Sequence, residues 1–355
     1  MAAITGMTAL RSALLRIPAV RQLNEGRHRL LRALAGAAPP TTEPATAPVE
    51  AKLRQALADC EGQLDGLRTQ LLHLQKDTEA MRDARREHRL FITDYAYFPS
   101  ARPIEATAGG RQVAARFMRD EATIAATLRD IAARAGALGR ISRDAEAPLQ
   151  PFWANDWFPP FDGAALYGLI AANAPRRYIE VGSGISTRFA RRAVADHGLA
   201  TRIVSIDPHP HNATEGLCDE TIVSRMEDMP AAFWAGLHAD DMVFIDNSHR
   251  SFPGSDVTVF FTEVMPALPA GVIYGVHDIF LPWDYPQEWR ERFYNEQYLL
   301  MTWLLGGGGA DEVLLPVLWA YRQPALHGLL APLWEAPGLF DGLTTHGGTF
   351  WARRG

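Results

Sequence analysis

The sequence predicts an α/β fold: a doubly wound parallel sheet with crossover helices, preceded by an α-helical region that contains a coiled-coil helix. Three observations carry this. From Ala174 onward, short β-rich runs alternate with helical patterns, and strand-forming segments separated by a crossover helix are the mark of parallel pairing. The first run opens into a glycine loop, and two later ones end in acidic and histidine residues. Upstream, apolar residues recur in alternating steps of four and three, the seam of a coiled coil.

Composition sets the outer bounds. Of 355 residues, 47% are hydrophobic and 21% charged, ordinary for a globular chain with a sizeable core. One large sheet domain plus a smaller N-terminal region is the economical division. The net charge of -6 gives no electrostatic reason to expect nucleic acid as a partner. Lys52 and Lys76 are the only lysines, so arginine carries the positive charge throughout and local Arg-richness says little. Two cysteines, Cys60 and Cys218, make no disulfide framework and no C-x-x-C metal pair. A reducing, cytoplasmic setting is expected. No run approaches the ~18 apolar residues that span a membrane.

Along the chain, residues 1–50 read as a poorly ordered Arg/Ala/Pro-rich segment and linker. Its six arginines between Arg11 and Arg32 leave a transit peptide or a membrane-surface helix as the other readings. The heptad helix follows over 51–90, with Leu53, Leu57, Cys60, Leu64, Leu67, Leu71, Leu74 and, past Thr78, Met81 on its seam. Self-association as a homo-oligomer is the expected use, and packing on the chain's own catalytic domain is the alternative. Gly62 and Gly66 each weaken this helix by about 1 kcal/mol. Residues 91–150 are expected to form a helical arm or cap, with Val113, Phe117, Ile124, Leu128 and Ile131 at helical spacing between Arg111 and Ala137.

The sheet domain is expected over 151–355. Its strands are Arg177 to Val181, Arg202 to Ile206, Glu220 to Val223, Met242 to Ile245 and Gly271 to Val276. A helix from about Trp283 to Leu305, an apolar run from Val313 to Tyr321 and a last strand near Thr349 to Arg353 would add an antiparallel pair at one end. Before the sheet, the aromatic-dense approach around Trp153 and Trp157 is either a lid or ordinary core.

In open α/β sheets ligands sit beyond the carboxyl ends of the strands at the switch point. The loop there runs from Glu180 to Thr187 and reads E-V-G-S-G-I-S-T. Gly182 and Gly184 allow close backbone approach, while Ser186 or Thr187 can cap the next helix. This loop resembles motif I of the class I S-adenosylmethionine (SAM) dependent methyltransferases, E/D-x-G-x-G. That resemblance implies a Rossmann-like seven-stranded sheet with SAM held by Glu180, Gly182, Ser183, Gly184 and Thr187. Asp207, at the end of the second strand, is placed to accept the ribose hydroxyls, or else is a turn-starting Asp before Pro208. Met226 stands where the adenine wall usually lies and equally reads as core.

The fourth strand ends in Asp246-Asn-Ser-His249 and the fifth in His277-Asp278. Asp246, His277 and Asp278 together can hold a divalent cation. Such an ion would lower the pKa of an acceptor hydroxyl, with His249 as general base. The alternative is a metal-free rim in which Asp246 supports the cofactor and His277 is a satisfied core histidine. The D-x-x-H spacing and the following H-D pair resemble the methyltransferase-24 type, including metal-dependent sugar and small-molecule O-methyltransferases. This implies magnesium, catalytic roles for Asp246 and His249, and a hydroxyl acceptor on a sugar, glycan or natural product. His277 departs from that type, where a Glu is common. Trp283 and Tyr285 are expected near the acceptor.

Two other readings stay in view. A non-catalytic SAM-binding scaffold recruited through the coiled coil would have no need of the Asp and His residues on the rim. An NAD(P)-dependent oxidoreductase would want a third small residue where Thr187 stands, and a Tyr-x-x-x-Lys pair for which the domain has no lysine.

Overall fold

The computed structural model describes residues 47–355 apart from 91, 211–215 and 307, together with residues 25, 29 and 32. Most of the Arg-rich opening and the Pro-rich stretch after it therefore lies outside the described residues. The chain divides into two compact units, 1–97 and 98–355. The first is described over a 40-residue helix, α1, Ala47–Arg86. Leu53, Leu57, Cys60, Leu64 and Leu71 are half-buried along it, whereas Leu67, Leu74 and Met81 are 45%, 62% and 64% exposed. Among the described residues no helix is long and apolar enough to cross a membrane.

In the second unit, β1 (Arg177–Val181), β2 (Arg202–Ile206), β3 (Glu220–Ile222), β4 (Met242–Ile245), β5 (Ile273–Val276), β6 (Glu312–Pro316) and β7 (Phe350–Arg353) form one sheet. Their order is β3-β2-β1-β4-β5-β7-β6. The pairings from β3 through β5 are parallel, and β7 runs antiparallel to both β5 and β6. β1, β4 and β5 are buried along nearly their whole length, which explains why they read as continuous apolar runs. Gly275 in β5 lies under the indole of Trp351, where a Cβ would come within 2.4 Å of the ring. Trp351 stacks in turn on Phe244, centroids 5.1 Å apart.

The expected helix from Arg111 to Ala137 is two main helices, α2 (Ala108–Arg119) and α3 (Glu121–Ala132), with a short turn at Ala135–Leu138. The break is at Asp120, whose carboxylate takes the Arg119 guanidinium and the Val313 N–H. Both helices belong to the main core, with Phe117, Ile124 and Leu128 at 0% exposure, so this arm packs within the same compact unit as the sheet. α4 (Pro160–Asn173) starts with Pro at its first position and is apolar nearly all round, the pattern of a fully enclosed helix. α5 (Ile185–Asp196) follows the glycine loop and α6 (Glu296–Gly306) precedes β6. The expected helix from Trp283 begins only at Glu296. Pro286 opens a 3₁₀ segment, Gln287–Arg292, and Phe293 turns with φ 55°, because proline removes a donor and fixes its own φ.

Candidate active site

The strand register assembles the site. Val181 pairs with Ile245 and Ile245 with Val276, so the next residues, Gly182, Asp246 and His277, stand side by side on one rim. Their backbones continue the ladder: Asp246 N–H donates to Val181 O at 3.0 Å and His277 N–H to Ile245 O at 2.9 Å. Gly182 has φ 83°, and a Cβ there would lie 2.0 Å from the Asp246 carbonyl oxygen. At Gly184 a Cβ would meet nothing within 4 Å, so this stretch of backbone faces open space.

Glu180 is fully buried. It accepts from the Tyr178 hydroxyl at 3.0 Å and from Thr187 Oγ1 at 2.5 Å, and Thr187 Oγ1 accepts from the Gly184 N–H at 2.9 Å. Glu180 thus shapes the loop from beneath. Burial pushes its carboxyl up to about 7, against the pull of hydrogen bonds from Ser186, Thr187 and Tyr178. An acid with a raised folded pKa keeps its proton in the folded state while the unfolded chain has lost it, so stability falls as pH rises from about 4.5 to about 7. The difference amounts to about 3 kcal/mol. Thermal melts across pH 4–8 are expected to show this slope in the wild type and to show it much reduced in Glu180→Gln; equal slopes would refute it.

Asp207 holds the loop from the side. Its Oδ2 accepts from Ser183 N–H at 3.0 Å and Ser183 Oγ at 2.9 Å, and its Oδ1 accepts from His209 N–H at 2.7 Å. A carboxylate offers about four lone-pair positions, so one is open and rotation of the Ser183 hydroxyl frees another, enough for a pair of ribose hydroxyls. Met226 is buried at the start of a 3₁₀ turn.

Past Asp246 the chain makes an Asx turn: Asn247 Oδ1 accepts from the His249 N–H at 2.9 Å, and His249 takes φ 57°. The His249 ring is thereby turned inward, 5% exposed. Its Nδ1 meets Glu296 Oε2 at 2.9 Å, while Nε2 lies 3.4 Å from Asp246 Oδ1 and 3.5 Å from Asp278 Oδ2. Asn247 Nδ2 also donates to Glu296 Oε1 at 3.2 Å. Asp278, like His249, adopts a left-handed backbone, φ 54°. His277 Nδ1 is 3.2 Å from Asp246 Oδ1, and its Nε2 is 3.8 Å from Asp162 Oδ2. Asp162, on the first turn of α4, accepts from the Gly348 and Thr349 N–H groups at 2.7 Å each and ties the approach to β7 into the rim.

The electrostatics follow from this crowding. Burial presses the His277 imidazole down, but the Asp246 and Asp278 carboxylates outweigh it and lift it to about 10. His249 is likewise raised well above the usual range, burial being overcome by Asp246 and Glu296. Asp246 is held well below the usual carboxylate range: burial opposes this, and the two imidazoles prevail. Asp162 and Glu296 are raised by burial.

Among the described residues, the metal-ligating groups whose donor atoms all lie within 4.8 Å of one another are Asp246, His249 and His277. Asp278 is adjacent, 3.9 Å from His277 Nδ1. Geometry therefore admits His249 to the cation cluster expected from Asp246, His277 and Asp278. Two imidazoles make a nitrogen-rich set, whereas magnesium prefers oxygen.

Around the mouth, Trp153 and Phe158 are core residues at 1% and 2% exposure, and Trp157 is 80% exposed. Tyr285 is buried with its hydroxyl accepting from Gln297 N–H, and Trp283 is half-buried beneath Arg322. The ring nearest the candidate base is instead Tyr294, 4.7 Å from His249 between centroids.

Asp162, Asn247, Glu296 and Tyr294 were not legible as site residues. A signal existed for two of them: Asp162 and Glu296 are the sole charges on α4 and α6.

A seven-stranded sheet in this order, with β7 its one antiparallel member and a glycine loop at the switch point, is the fold of the class I SAM-dependent methyltransferases. Residues 179–279, from within β1 to just past β5, match a family model described as a methyltransferase domain. That match lies within a sheet of this topology, so residues 179–279 are similar to a methyltransferase domain set in a class I SAM-dependent methyltransferase fold. No curated protein sequence matches the chain. Among solved structures, a Podospora anserina methyltransferase bound to S-adenosylhomocysteine (SAH) is 17% identical, over 54% of this chain and 77% of its own, with a TM-score of 0.30. The mycinamycin-pathway methyltransferase MycE, in complex with Mg, SAH and mycinamycin VI, is 16% identical over 51% and 45%, with a TM-score of 0.28. The Streptomyces achromogenes O-methyltransferase TomG, in complex with SAM, is 16% identical over 63% and 89%, with a TM-score of 0.26.

Proposed function

We propose that the chain methylates a hydroxyl oxygen on a sugar, glycan or other hydroxylated natural product, with His249 as general base. The observation that carries the reading is the His249–Glu296 pair: a buried imidazole with Nδ1 bonded to a carboxylate and Nε2 turned toward the rim beside the glycine loop. SAM, when bound, supplies a methyl group on a positively charged sulfonium. Gly182, Ser183, Gly184 and Thr187 shape the cradle for it, with Glu180 beneath, Asp207 at the ribose, Met226 at the adenine and Asp246 at the rim. Glu296 fixes the tautomer of His249, so that Nε2 presents its lone pair to an acceptor hydroxyl. A base must be neutral to accept a proton, and positive charge entering the rim lowers the proton affinity of an imidazole raised by Asp246 and Glu296.

Where a divalent cation such as magnesium assists, Asp246, His277 and Asp278 are the residues to hold it, and its contribution would be a lower pKa of the acceptor hydroxyl. His249 stays outside that set, because a ligating imidazole has no lone pair left for proton transfer. Self-association through α1 and a cytoplasmic setting complete the reading.

Calorimetry of the full chain with SAH, then with NAD, each with and without magnesium, tests it. Saturable SAH binding and no heat with NAD are expected. Tight NAD binding with none for SAH would overturn the reading.

A further inference from the structure

α1 carries exposed apolar residues along its seam: Leu67, Leu74 and Met81 are 45–64% exposed. We infer that α1 pairs with α1 of a second copy of this chain as a parallel, in-register, two-stranded coil. This rests on the self-association named above and is independent of the catalytic reading.

The number of strands follows from the width of the stripe. Between Arg54 and Arg82 the positions flanking the seam are all polar or charged except Ala56. A stripe confined to two positions in seven is the narrow seam that two strands bury; a third strand would draw flanking Arg and Gln residues inward.

The direction follows from the core layers. Flanking charges do not decide it, since parallel pairing sets Asp77 of one copy against Arg82 of the other, and the antiparallel alignment that pairs Leu57 with Leu74 sets Glu61 against Arg68. Antiparallel alignments match leucine with leucine in two distinct pairs at most, and three do so equally: Leu53–Leu71 with Leu57–Leu67, Leu57–Leu74 with Leu64–Leu67, or Leu64–Leu74 with Leu67–Leu71. The first sets Glu50 against Leu74, the second Thr78 against Leu53 and Glu50 against Met81, and the third Arg85 against Leu53, so each places a polar or charged group on hydrocarbon. Parallel pairing sets Thr78 against Thr78, a matched polar layer of the kind that fixes register. Glu50 then faces Glu50 of the second copy in the first turn of the helix, where each carboxylate is paired with Arg54 of its own chain at 2.6 Å.

In the parallel register Cys60 faces Cys60, whereas in the antiparallel ones it faces Leu64, Leu71 or Thr78. The test uses the full chain. Sedimentation is expected to give twice the 39.2 kDa chain mass. The double variant Leu64→Asp, Leu71→Asp is expected to sediment as one copy with unchanged near-ultraviolet dichroism, all nine tryptophans lying beyond α1. Copper-phenanthroline oxidation of Cys218→Ser is expected to give a disulfide-linked pair on a non-reducing gel, lost in Cys60→Ser, Cys218→Ser. A wild-type chain that binds SAH yet sediments as one copy overturns this inference alone. A pair that Cys60 fails to cross-link overturns the parallel register, and a mass of three copies overturns the two-stranded coil.

Discussion

Replacing His249 with alanine is expected to lower turnover by about 10²- to 10⁴-fold, the usual contribution of a general base, while leaving SAH affinity within about twofold. The reason lies in what the ring touches. His249 packs on Tyr294 and bonds to Glu296, and neither belongs to the glycine loop, which is held separately by Glu180 and Asp207. Glu296→Gln keeps a group of the same shape at Nδ1 but removes the charge, so a smaller loss of about 10- to 100-fold is expected, as for outer partners of histidine. SAH calorimetry and initial rates with an acceptor that supports wild-type turnover separate the cases. An affinity loss as large as the rate loss would assign His249 to cofactor binding.

Gly182→Ala is expected to abolish measurable SAH binding and to destabilise the domain by about 4 kcal/mol. Two costs add. A left-handed backbone costs a residue with a side chain about 1–2 kcal/mol. The new methyl would also lie 2.0 Å from the Asp246 carbonyl, overpacking of a kind that costs about 1–3 kcal/mol. Because that carbonyl belongs to the residue that starts the chemistry loop, relief of the clash must move the two loops apart. Gly184→Ala is the matched control: its methyl meets nothing within 4 Å, so folding stability should change by less than about 1 kcal/mol. Urea unfolding and SAH calorimetry on both variants read the contrast. Equal stability losses would refute the argument from the Asp246 carbonyl.

Much of this rim can be read directly from the sequence, because strand ends carry local punctuation. Gly182, Asp246 and His277 each follow a run of buried strand residues without a gap, and parallel pairing brings them together regardless of the intervening sequence. Asp162 and Glu296 escape such a reading because their roles arise from closure of the fold. Asp162 reaches His277 from 115 residues away in sequence and Glu296 reaches His249 from 47, with no periodicity linking either pair. The helix expected from Trp283 fails for a local reason, since Pro286 and the left-handed Phe293 keep the chain irregular until Glu296. Tyr294 escapes by the same route, lying in that irregular stretch.

The left-handed backbones at His249 and Asp278 bear on any attempt to make this protein sturdier. Residues other than glycine adopt that conformation uncommonly, even though asparagine, aspartate and histidine do so more than the rest, and five described non-glycine residues do so, two of them on this rim. A search for stabilising substitutions would single out His249 early, since glycine there would relax the turn. The position offering that gain is the one whose strain aims the imidazole. A programme of thermal hardening should therefore fix residues 246–249 and 277–278 at the outset and seek its improvements on the opposite edge of the sheet, where backbone relaxation displaces nothing the reaction needs.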